Sequence, residues 1–175
     1  MYAVITGASS GIGEQLAKRL AKEGYDLILV ARRRERLTAL SDKLTATHKG
    51  LWCDIFTADL MQLDECQRLS DYLEEKDVEI FINNAGYGDC GLFEETDIAK
   101  EMGMIDVNVR AVHFLTKKLL RQMRVKDRGF ILNVASSAGL IPAGPYMAAY
   151  YASKAYVASL SRAVACELRQ SHSHV

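Results

Sequence analysis

The chain has 175 residues, with 22 Lys and Arg, 22 Asp and Glu, and a formal net charge of zero. Because proteins that bind nucleic acids or membrane surfaces usually carry a basic face, this balance argues against both kinds of partner. No apolar run approaches the roughly 20 residues that a membrane-spanning helix needs. Hydrophobic residues make up 49% of the chain, and we predict one domain over residues 1–175 with a substantial core.

Strand-like and helical patterns alternate along the whole chain. The first half is predicted to contain strand 2–6, helix 13–23, strand 26–30, helix 34–45, strand 51–55 and helix 62–75. The second half is predicted to contain strand 79–83, a long helix 97–123 broken near Asp106, strand 129–134 and helix 146–170. This alternation predicts an α/β fold with a mainly parallel, doubly wound sheet and right-handed crossovers.

A glycine-rich turn lies between the first strand and the first helix. Such a turn lets the backbone approach a pyrophosphate closely, and the helix start supplies free N–H groups at a positive dipole end. Three residues separate Gly7 from Gly11, so the turn is wider than the G-x-G-x-x-G pattern. The residues predicted to contact a dinucleotide here are Gly7, Ser9, Ser10, Gly11, Ile12 and Gly13.

A basic run, Arg32-Arg33-Arg34, follows the second strand. Proteins that bind NAD usually place an acidic residue at this point to accept from the ribose 2′-hydroxyl. Since no carboxylate is present to repel a 2′-phosphate, and Arg32 could bind one, we favour NADP(H) over NAD(H) as the cofactor. Arg33 and Arg34 are predicted only to open a solvated helix.

Two further polar segments follow strands. Asp59 and Leu60 come after the third strand, where they are expected either to contact an adenine ring or, through Asp59, to cap the next helix. Small residues after the fourth strand allow close approach of a ligand, although an Asx-type turn would account for them as well. The cofactor contacts predicted there are Asn84, Ala85 and Gly86.

Tyr150 and Lys154 stand at positions i and i+4 of the last helix and therefore share one face. A phenol beside an ammonium group is suited to donate and accept a proton. Ser137 follows the fifth strand, and its hydroxyl could hold a substrate oxygen. His48 and His113 both lie in helical patterns away from the strand ends, which argues against a serine hydrolase.

These motifs, taken in order, resemble the short-chain dehydrogenase/reductase family of the TGxxxGxG and YxxxK type, over essentially the whole chain. The resemblance implies a Rossmann-type fold with helices on both faces. It implies an enzyme that interconverts a small-molecule carbonyl and an alcohol by hydride transfer, with Asn108, Ser137, Tyr150 and Lys154 as the catalytic residues. In the implied mechanism Tyr150 donates the proton, Lys154 binds the nicotinamide ribose, and Asn108 holds a water where its helix bends.

The chain departs from the family pattern at its C-terminal end. Family members continue into a sixth strand and a substrate-binding segment, and Val175 stands where that strand would start. We therefore expect an incomplete sheet, with the fifth strand as an exposed apolar edge, in a fragment, a truncated product or the product of a disrupted gene. Residues 88–93 and 140–147 remain as the expected substrate lining. The alternative function is a non-catalytic nucleotide-binding or oligomerising module.

Location, metal content and assembly are inferred from weaker patterns. The four cysteines have no CxxC spacing and no leader is apparent, which predicts reduced thiols in a cytoplasmic protein. The tail with His172 and His174 is predicted to be frayed and solvated, with no metal site. By analogy with the family, the long helices 97–123 and 146–170 are expected to pair in a homodimer or homotetramer.

Overall fold

The computed structural model describes residues 1–175. Its five strands are β1 Tyr2–Thr6, β2 Asp26–Ala31, β3 Cys53–Thr57, β4 Val78–Asn83 and β5 Phe130–Asn133. Its helices are α1 Gly11–Lys22, α2 Arg34–Thr47, α3 Leu63–Glu74, α4 Ile98–Ile105, α5 Val112–Lys126 and α6 Ala148–Gln170. A π-helical turn, Asp106–Ala111, joins α4 to α5, and a 3₁₀ turn, Ser137–Gly139, follows β5.

The central strands are covered on both faces, as their continuous apolar sequences predict. In β2, Leu27 and Leu29 pack into a cluster with residues of α1 and α2 on one face of the sheet. Ile28 and Val30 point the other way, into a cluster with residues of α3 and α5. Because successive side chains of a strand alternate in direction, a strand with no polar face must be buried on both sides. The doubly wound fold predicted from the sequence is confirmed.

All four strand pairings are parallel, and the order of the strands is β3-β2-β1-β4-β5. The chain first builds outward from β1 through β2 to β3, and then crosses to the other side of β1 to add β4 and β5. In sheets of this kind, the crevice for a ligand opens at the carboxyl ends of the strands where the order reverses. That point lies between β1 and β4, where the glycine-rich turn and the segment after Asn83 meet.

Several predicted boundaries were displaced. The third strand was predicted at 51–55, but β3 begins at Cys53 and ends at Thr57, opposite Ala31 of β2. Trp52 is 61% exposed and leads into the strand, while Phe56 is the residue that β3 buries in the core. The last helix begins at Ala148 rather than at Tyr146, because Tyr146 has a φ of 68°, which no right-handed helix accommodates.

The tail is exposed at Ser171, His172 and His174, as predicted, but the prediction that it is frayed was wrong. Asp127 ends α5, and one of its carboxylate oxygens accepts hydrogen bonds from the Ser173 hydroxyl and the His174 N–H. Arg124 donates to the Ser171 hydroxyl at 2.7 Å, so the last turn of α5 holds the tail along the protein surface. These bonds lower the pKa of Asp127, the His174 N–H having the largest effect. No group of three or more His, Cys, Asp or Glu side chains in the chain is arranged to hold a metal ion.

β5 forms one edge of the sheet, as expected. Two of its apolar side chains are exposed to solvent: Phe130 is 62% exposed and Leu132 is 47% exposed. An edge strand of this kind offers unpaired backbone groups and apolar side chains to another strand. None of the helices combines the length and the hydrophobicity that crossing a membrane would demand.

Candidate functional site

The glycine-rich turn brings β1, α1 and the end of β4 into close contact. Gly7 has a φ of +68°, and a Cβ on it would lie 2.8 Å from the Ala85 Cα. A Cβ on Gly13 would lie 2.5 Å from both the Gly7 carbonyl oxygen and the Asn84 Nδ2. Gly13 therefore packs behind the turn and does not line the cleft, although it was predicted among the residues that contact the nucleotide.

The close packing at Gly13 leads to a first prediction. Gly13→Ala forces a methyl group against a backbone oxygen that cannot move without shifting the turn, and we expect a loss of about 1–3 kcal/mol in the free energy of unfolding. Urea unfolding followed by circular dichroism measures this loss. The control is Gln15→Ala, an exposed position in the same helix. Equal stabilities of the two variants would contradict the packing argument.

Side-chain hydrogen bonds fasten the end of β4 to the end of β1. The Thr6 hydroxyl donates to the Ile82 carbonyl and accepts from the N–H groups of Asn84 and Ala85. The Asn84 side chain donates in return to the Thr6 carbonyl at 2.9 Å. The side-chain N–H groups of Asn84 are thus engaged within the protein. For a ligand, Asn84 mainly forms part of the cleft wall.

A cleft of about 470 Å³ opens at the carboxyl ends of the strands. Predicted nucleotide contacts that line it are Gly7, Ser9, Ser10, Gly11, Ile12, Arg32, Asp59, Leu60, Asn84, Ala85, Gly86, Tyr150 and Lys154. Residues of its wall that were not predicted as nucleotide contacts are Ala31, Arg33, Ala58, Tyr87, Gly88, Val107, Val134 and Ala135, of which Gly88 was predicted as substrate lining. The candidate site therefore joins the glycine-rich turn to the Tyr–Lys pair, as the order of the strands requires.

The first turn of α1 faces this cleft with unpaired backbone donors. Hydrogen bonding within the helix begins with the Glu14 N–H, which donates to the Ser10 carbonyl. The N–H groups of residues 11–13 have no acceptor in the helix, and no side chain caps its start. An anionic group placed here would gain those hydrogen bonds and the favourable end of the helix dipole.

Two arginines without ion-pair partners stand at the same end of the cleft. Arg33 donates from one nitrogen to the hydroxyls of Ser9 and Ser10, at 2.9 Å each. Arg32 also lines the cleft, and neither guanidinium pairs with a carboxylate in the chain. The prediction that Arg33 only opens a solvated helix was wrong, because the strand end turns its side chain back across the glycine-rich turn.

Asp59 shapes the turn that precedes α3. One of its carboxylate oxygens accepts from the Met61 N–H at 3.2 Å, and the capping position of the helix is occupied by Gln62. Asp59 is therefore not the helix cap, which was one of its two predicted roles. Leu60 beside it is buried and lines the cleft. Contact of this pair with an adenine ring stays a prediction.

At the other end of the cleft, the segment after β4 packs against the Tyr–Lys pair. A Cβ on Gly88 would lie 3.1 Å from a carbon of the Tyr150 ring, and one on Gly86 would lie 3.6 Å from the Lys154 Nζ. The Lys154 Nζ stands 6.0 Å from the centre of the Tyr150 ring. It donates to the Val134 carbonyl at 2.9 Å, and the remaining two of its three N–H groups are free for other acceptors.

Asn108 lies at the centre of the π-helical turn, where the long helix was predicted to break. It is fully buried, and its amide exchanges two hydrogen bonds with the backbone N–H and carbonyl of Tyr87. Its second amide hydrogen goes to the Ser153 hydroxyl, which in turn donates to the Tyr150 carbonyl. The wider turn lets a helix side chain reach a neighbouring loop and links the segment after β4 to α6.

Ser137 is the one predicted catalytic residue that stands apart. It is exposed at the start of the 3₁₀ turn, forms no side-chain hydrogen bond and is absent from the cleft wall. The neighbouring Ser136 stabilises this turn, since its hydroxyl accepts a hydrogen bond from the Ala138 N–H. The structure thus joins Tyr150, Lys154 and Asn108 around the segment after β4, and leaves Ser137 beside them without a contact.

Burial lowers the pKa of Lys154 below its ordinary value of 10.5, because desolvation disfavours the charged ammonium. Between the lowered pKa and 10.5, the unfolded chain binds more protons at this lysine than the folded chain does. The free energy of unfolding of the native chain should therefore rise with pH in this window, relative to that of Lys154→Met. Urea titrations of both chains at a series of pH values measure the difference. A difference that stays flat or falls with pH would contradict the assignment.

Tyr87 was missed because nothing in the local sequence separates it from an ordinary loop, whereas Gly88 was predicted as part of the substrate lining. The place of Tyr87 in the cleft depends on Asn108, a residue far along the chain, which holds the Tyr87 backbone. Burial raises the pKa of Tyr87, and the positive charge of Arg32 opposes that rise. The loop after β4 therefore reaches both ends of the cleft.

A parallel sheet with a glycine-rich turn and a cleft at its crevice defines a Rossmann-type nucleotide-binding protein. A family model described as short chain dehydrogenase matches residues 1–175, and the chain belongs to that family. Very-long-chain 3-oxoacyl-CoA reductase of Emericella nidulans is 33% identical over 175 residues, covering 96% of this chain and 49% of that protein. Hydroxysteroid dehydrogenase-like protein 1 of Gallus gallus is 34% identical, covering 93% and 50%.

Solved structures resemble the fold closely. A short-chain dehydrogenase from Sphingobium yanoikuyae in complex with NADPH superposes with a TM-score of 0.92 and 34% identity, covering 98% of this chain and 66% of that one. The bulky-bulky ketone specific alcohol dehydrogenase from Comamonas testosteroni gives a TM-score of 0.91 and 34% identity, covering 97% and 68%. The chain spans about half the length of the curated relatives it matches.

Proposed function

We propose that the protein is an NADP(H)-dependent oxidoreductase that interconverts a small-molecule carbonyl compound and an alcohol. The observation that carries the proposal is the single cleft that joins three features. Arg32 and Arg33 stand at one end, the free N–H groups of α1 lie between, and Tyr150 with Lys154 closes the other end.

The residues present fit the cofactor. The uncapped start of α1 would hold the pyrophosphate, and the two unpaired guanidiniums would hold a 2′-phosphate in a way that an ammonium could not match. Lys154 is only 7% exposed, with one hydrogen bond for three donors, and needs further acceptors such as the hydroxyls of a ribose. The Sphingobium yanoikuyae relative, which is in complex with NADPH, supports this choice.

Proton transfer is assigned to Tyr150. When bound, the nicotinamide would supply the hydride to the carbonyl carbon or accept it from the alcohol. The Tyr150 hydroxyl would donate its proton to the substrate oxygen in reduction and take it back in oxidation. Lys154, whose Nζ stands 6.0 Å from the centre of the Tyr150 ring, would bind the nicotinamide ribose at the same end of the cleft.

Asn108 and Ser137 are assigned supporting roles. The amide hydrogens of Asn108 fix the Tyr87 backbone and the Tyr150 end of α6. Holding a water beside Lys154 through an oxygen acceptor stays its predicted role. Ser137 does not line the cleft and its hydroxyl forms no hydrogen bond within the protein; its assignment is to hold the substrate oxygen once a substrate is bound.

The names of relatives support a carbonyl substrate, since one is a 3-oxoacyl-CoA reductase and another an alcohol dehydrogenase specific for bulky ketones. We extend from them only the class, a ketone or the corresponding alcohol. A homodimer or homotetramer and a cytoplasmic location are parts of the same proposal that rest on family analogy and on the four unpaired cysteines.

The test is NADPH oxidation with a panel of ketones and aldehydes, with cofactor binding measured separately by fluorescence. We expect NADPH to bind and at least one ketone to be reduced. Binding without turnover on any substrate would favour the alternative, a non-catalytic nucleotide-binding module. Absence of NADPH binding would overturn both.

A further inference from the structure

A chain of hydrogen-bonded polar side chains, buried at Asn83 and Thr116 and half-buried at Asn133 and Ser161, crosses four elements beneath the cleft. Asn83 is 3% exposed, and its amide donates to the Thr116 hydroxyl at 3.1 Å and to the Asn133 carbonyl oxygen at 2.8 Å. The Thr116 hydroxyl donates to the same Asn133 oxygen at 3.1 Å. The Asn133 amide nitrogen then donates to the Ser161 hydroxyl at 3.0 Å, and Ser161 donates to a carbonyl of its own helix. These side chains satisfy one another in turn.

Three of these four residues, Asn83, Asn133 and Ser161, are close to a part of the candidate site. Asn83 ends β4 and immediately precedes Asn84, and Asn133 ends β5 and immediately precedes Val134. Ser161 lies in α6, seven residues after Lys154, so both side chains project from the same face of the helix. Buried polar groups that bond to one another fix the relative position of the elements that carry them.

α6 is thereby attached to the end of β5 at two successive residues. The Asn133 side chain holds Ser161, and the Val134 carbonyl accepts from the Lys154 Nζ at 2.9 Å. The second attachment uses the ammonium that the proposed chemistry needs, whereas the first uses groups with no access to the cleft. Without the first attachment, only Lys154 would tie this face of α6 to the end of β5 through a side chain.

We infer that Asn133 and Ser161 are positioning residues that set the register of α6 against β5 and so place Tyr150 and Lys154 in the cleft. The inference rests on the proposed function. The hydroxyl of Ser161 acts as the acceptor that the Asn133 amide needs. The hydrogen bonds among Asn133, Thr116 and Asn83 extend this constraint to the end of β4.

The test compares Ser161→Ala with Ser159→Ala, an exposed serine of the same helix. For Ser161→Ala we expect kcat to fall by about tenfold, since small displacements of reacting groups slow catalysis strongly, while the NADPH Kd changes by less than about twofold. The pH at which kcat is half-maximal should also move. Ser161→Thr, which keeps the hydroxyl, should restore most of kcat. Ser159→Ala should resemble the native chain throughout.

Two results would overturn the inference while leaving the proposed function intact. One is an active native chain with equal kcat and pH profiles in the Ser161→Ala and Ser159→Ala variants. The other is a loss of stability in Ser161→Ala with no change in kcat, which would indicate a purely structural role. Failure of the proposed function looks different, because Tyr150→Phe would then have no effect on any turnover.

A measurement that does not depend on turnover tests the inference even if the native chain has no activity. With isotope-labelled lysine, NMR titration follows the Lys154 ammonium in the native chain and in both serine variants. We expect the titration midpoint of Lys154 to shift in Ser161→Ala and to stay in place in Ser159→Ala. Identical midpoints in all three would refute the link between Ser161 and Lys154.

Discussion

Tyr150→Phe is expected to lower kcat by about 10²–10⁴-fold, the usual contribution of a positioned proton donor. The substitution removes only the hydroxyl and leaves the ring, which packs beside Gly88, in place. Cofactor binding should therefore be unchanged, and the loss should appear in kcat rather than in the NADPH Kd. Steady-state rates of NADPH oxidation with the best ketone of the panel measure it.

Tyr151→Phe is the matched control. Tyr151 is the next residue of the same helix and turns its hydroxyl toward Gly144, outside the cleft. We expect this variant to retain kcat within about twofold, because no proton-transfer role is assigned to it. Comparable losses in both variants would show that the tyrosines support the helix and would remove Tyr150 from the chemistry.

Arg32→Ala is expected to weaken NADPH binding by about 10–100-fold, as loss of hydrogen bonds to a charged group predicts. Binding of NADH, which lacks the 2′-phosphate, should change by less than about threefold. Arg33→Ala should show the same selective loss, since its guanidinium stands over the Ser9 and Ser10 hydroxyls. Fluorescence titrations with both cofactors give the ratio of affinities.

Arg36→Ala removes an equal charge from an exposed position of α2 that does not line the cleft. It should leave the ratio of NADPH to NADH affinity unchanged. If Arg32→Ala and Arg33→Ala weakened both cofactors equally, the preference for NADP(H) would have to come from elsewhere.

The sequence sufficed for the fold because the determinants are local. Apolar strands such as β1 and β2 are bounded by glycines and charges, and period-3.6 patterns mark the helices between them. Contacts made across the chain were less predictable. β3 was displaced by two residues because its register is set by pairing with β2, and the start of α6 depends on the positive φ of Tyr146.

The residues of the candidate site were likewise predictable where their roles depend on local spacing, and not where they depend on distant contacts. The residues of the glycine-rich turn, Tyr150 and Lys154 were identified because their roles need fixed spacings in one segment. The place of Arg33 depends on the direction in which β2 ends, and the bonds of Asn108 depend on a loop 21 residues away. The docking of the tail on Asp127 was missed because polar composition indicates exposure but not hydrogen-bond partners.

The reversal of strand order between β1 and β4 has a consequence for how such a protein changes over evolutionary time. On the proposed assignment, coenzyme choice is governed from β1, β2 and the start of α1, while reactivity is governed from β4, β5 and α6. The two halves meet at the pairing of β1 with β4, at the hydrogen bonds of Thr6, and at the close contacts of Gly7 and Gly13 with the Asn84 segment. Mutations that retune one half can therefore accumulate with little epistasis on the other, as long as those glycines persist.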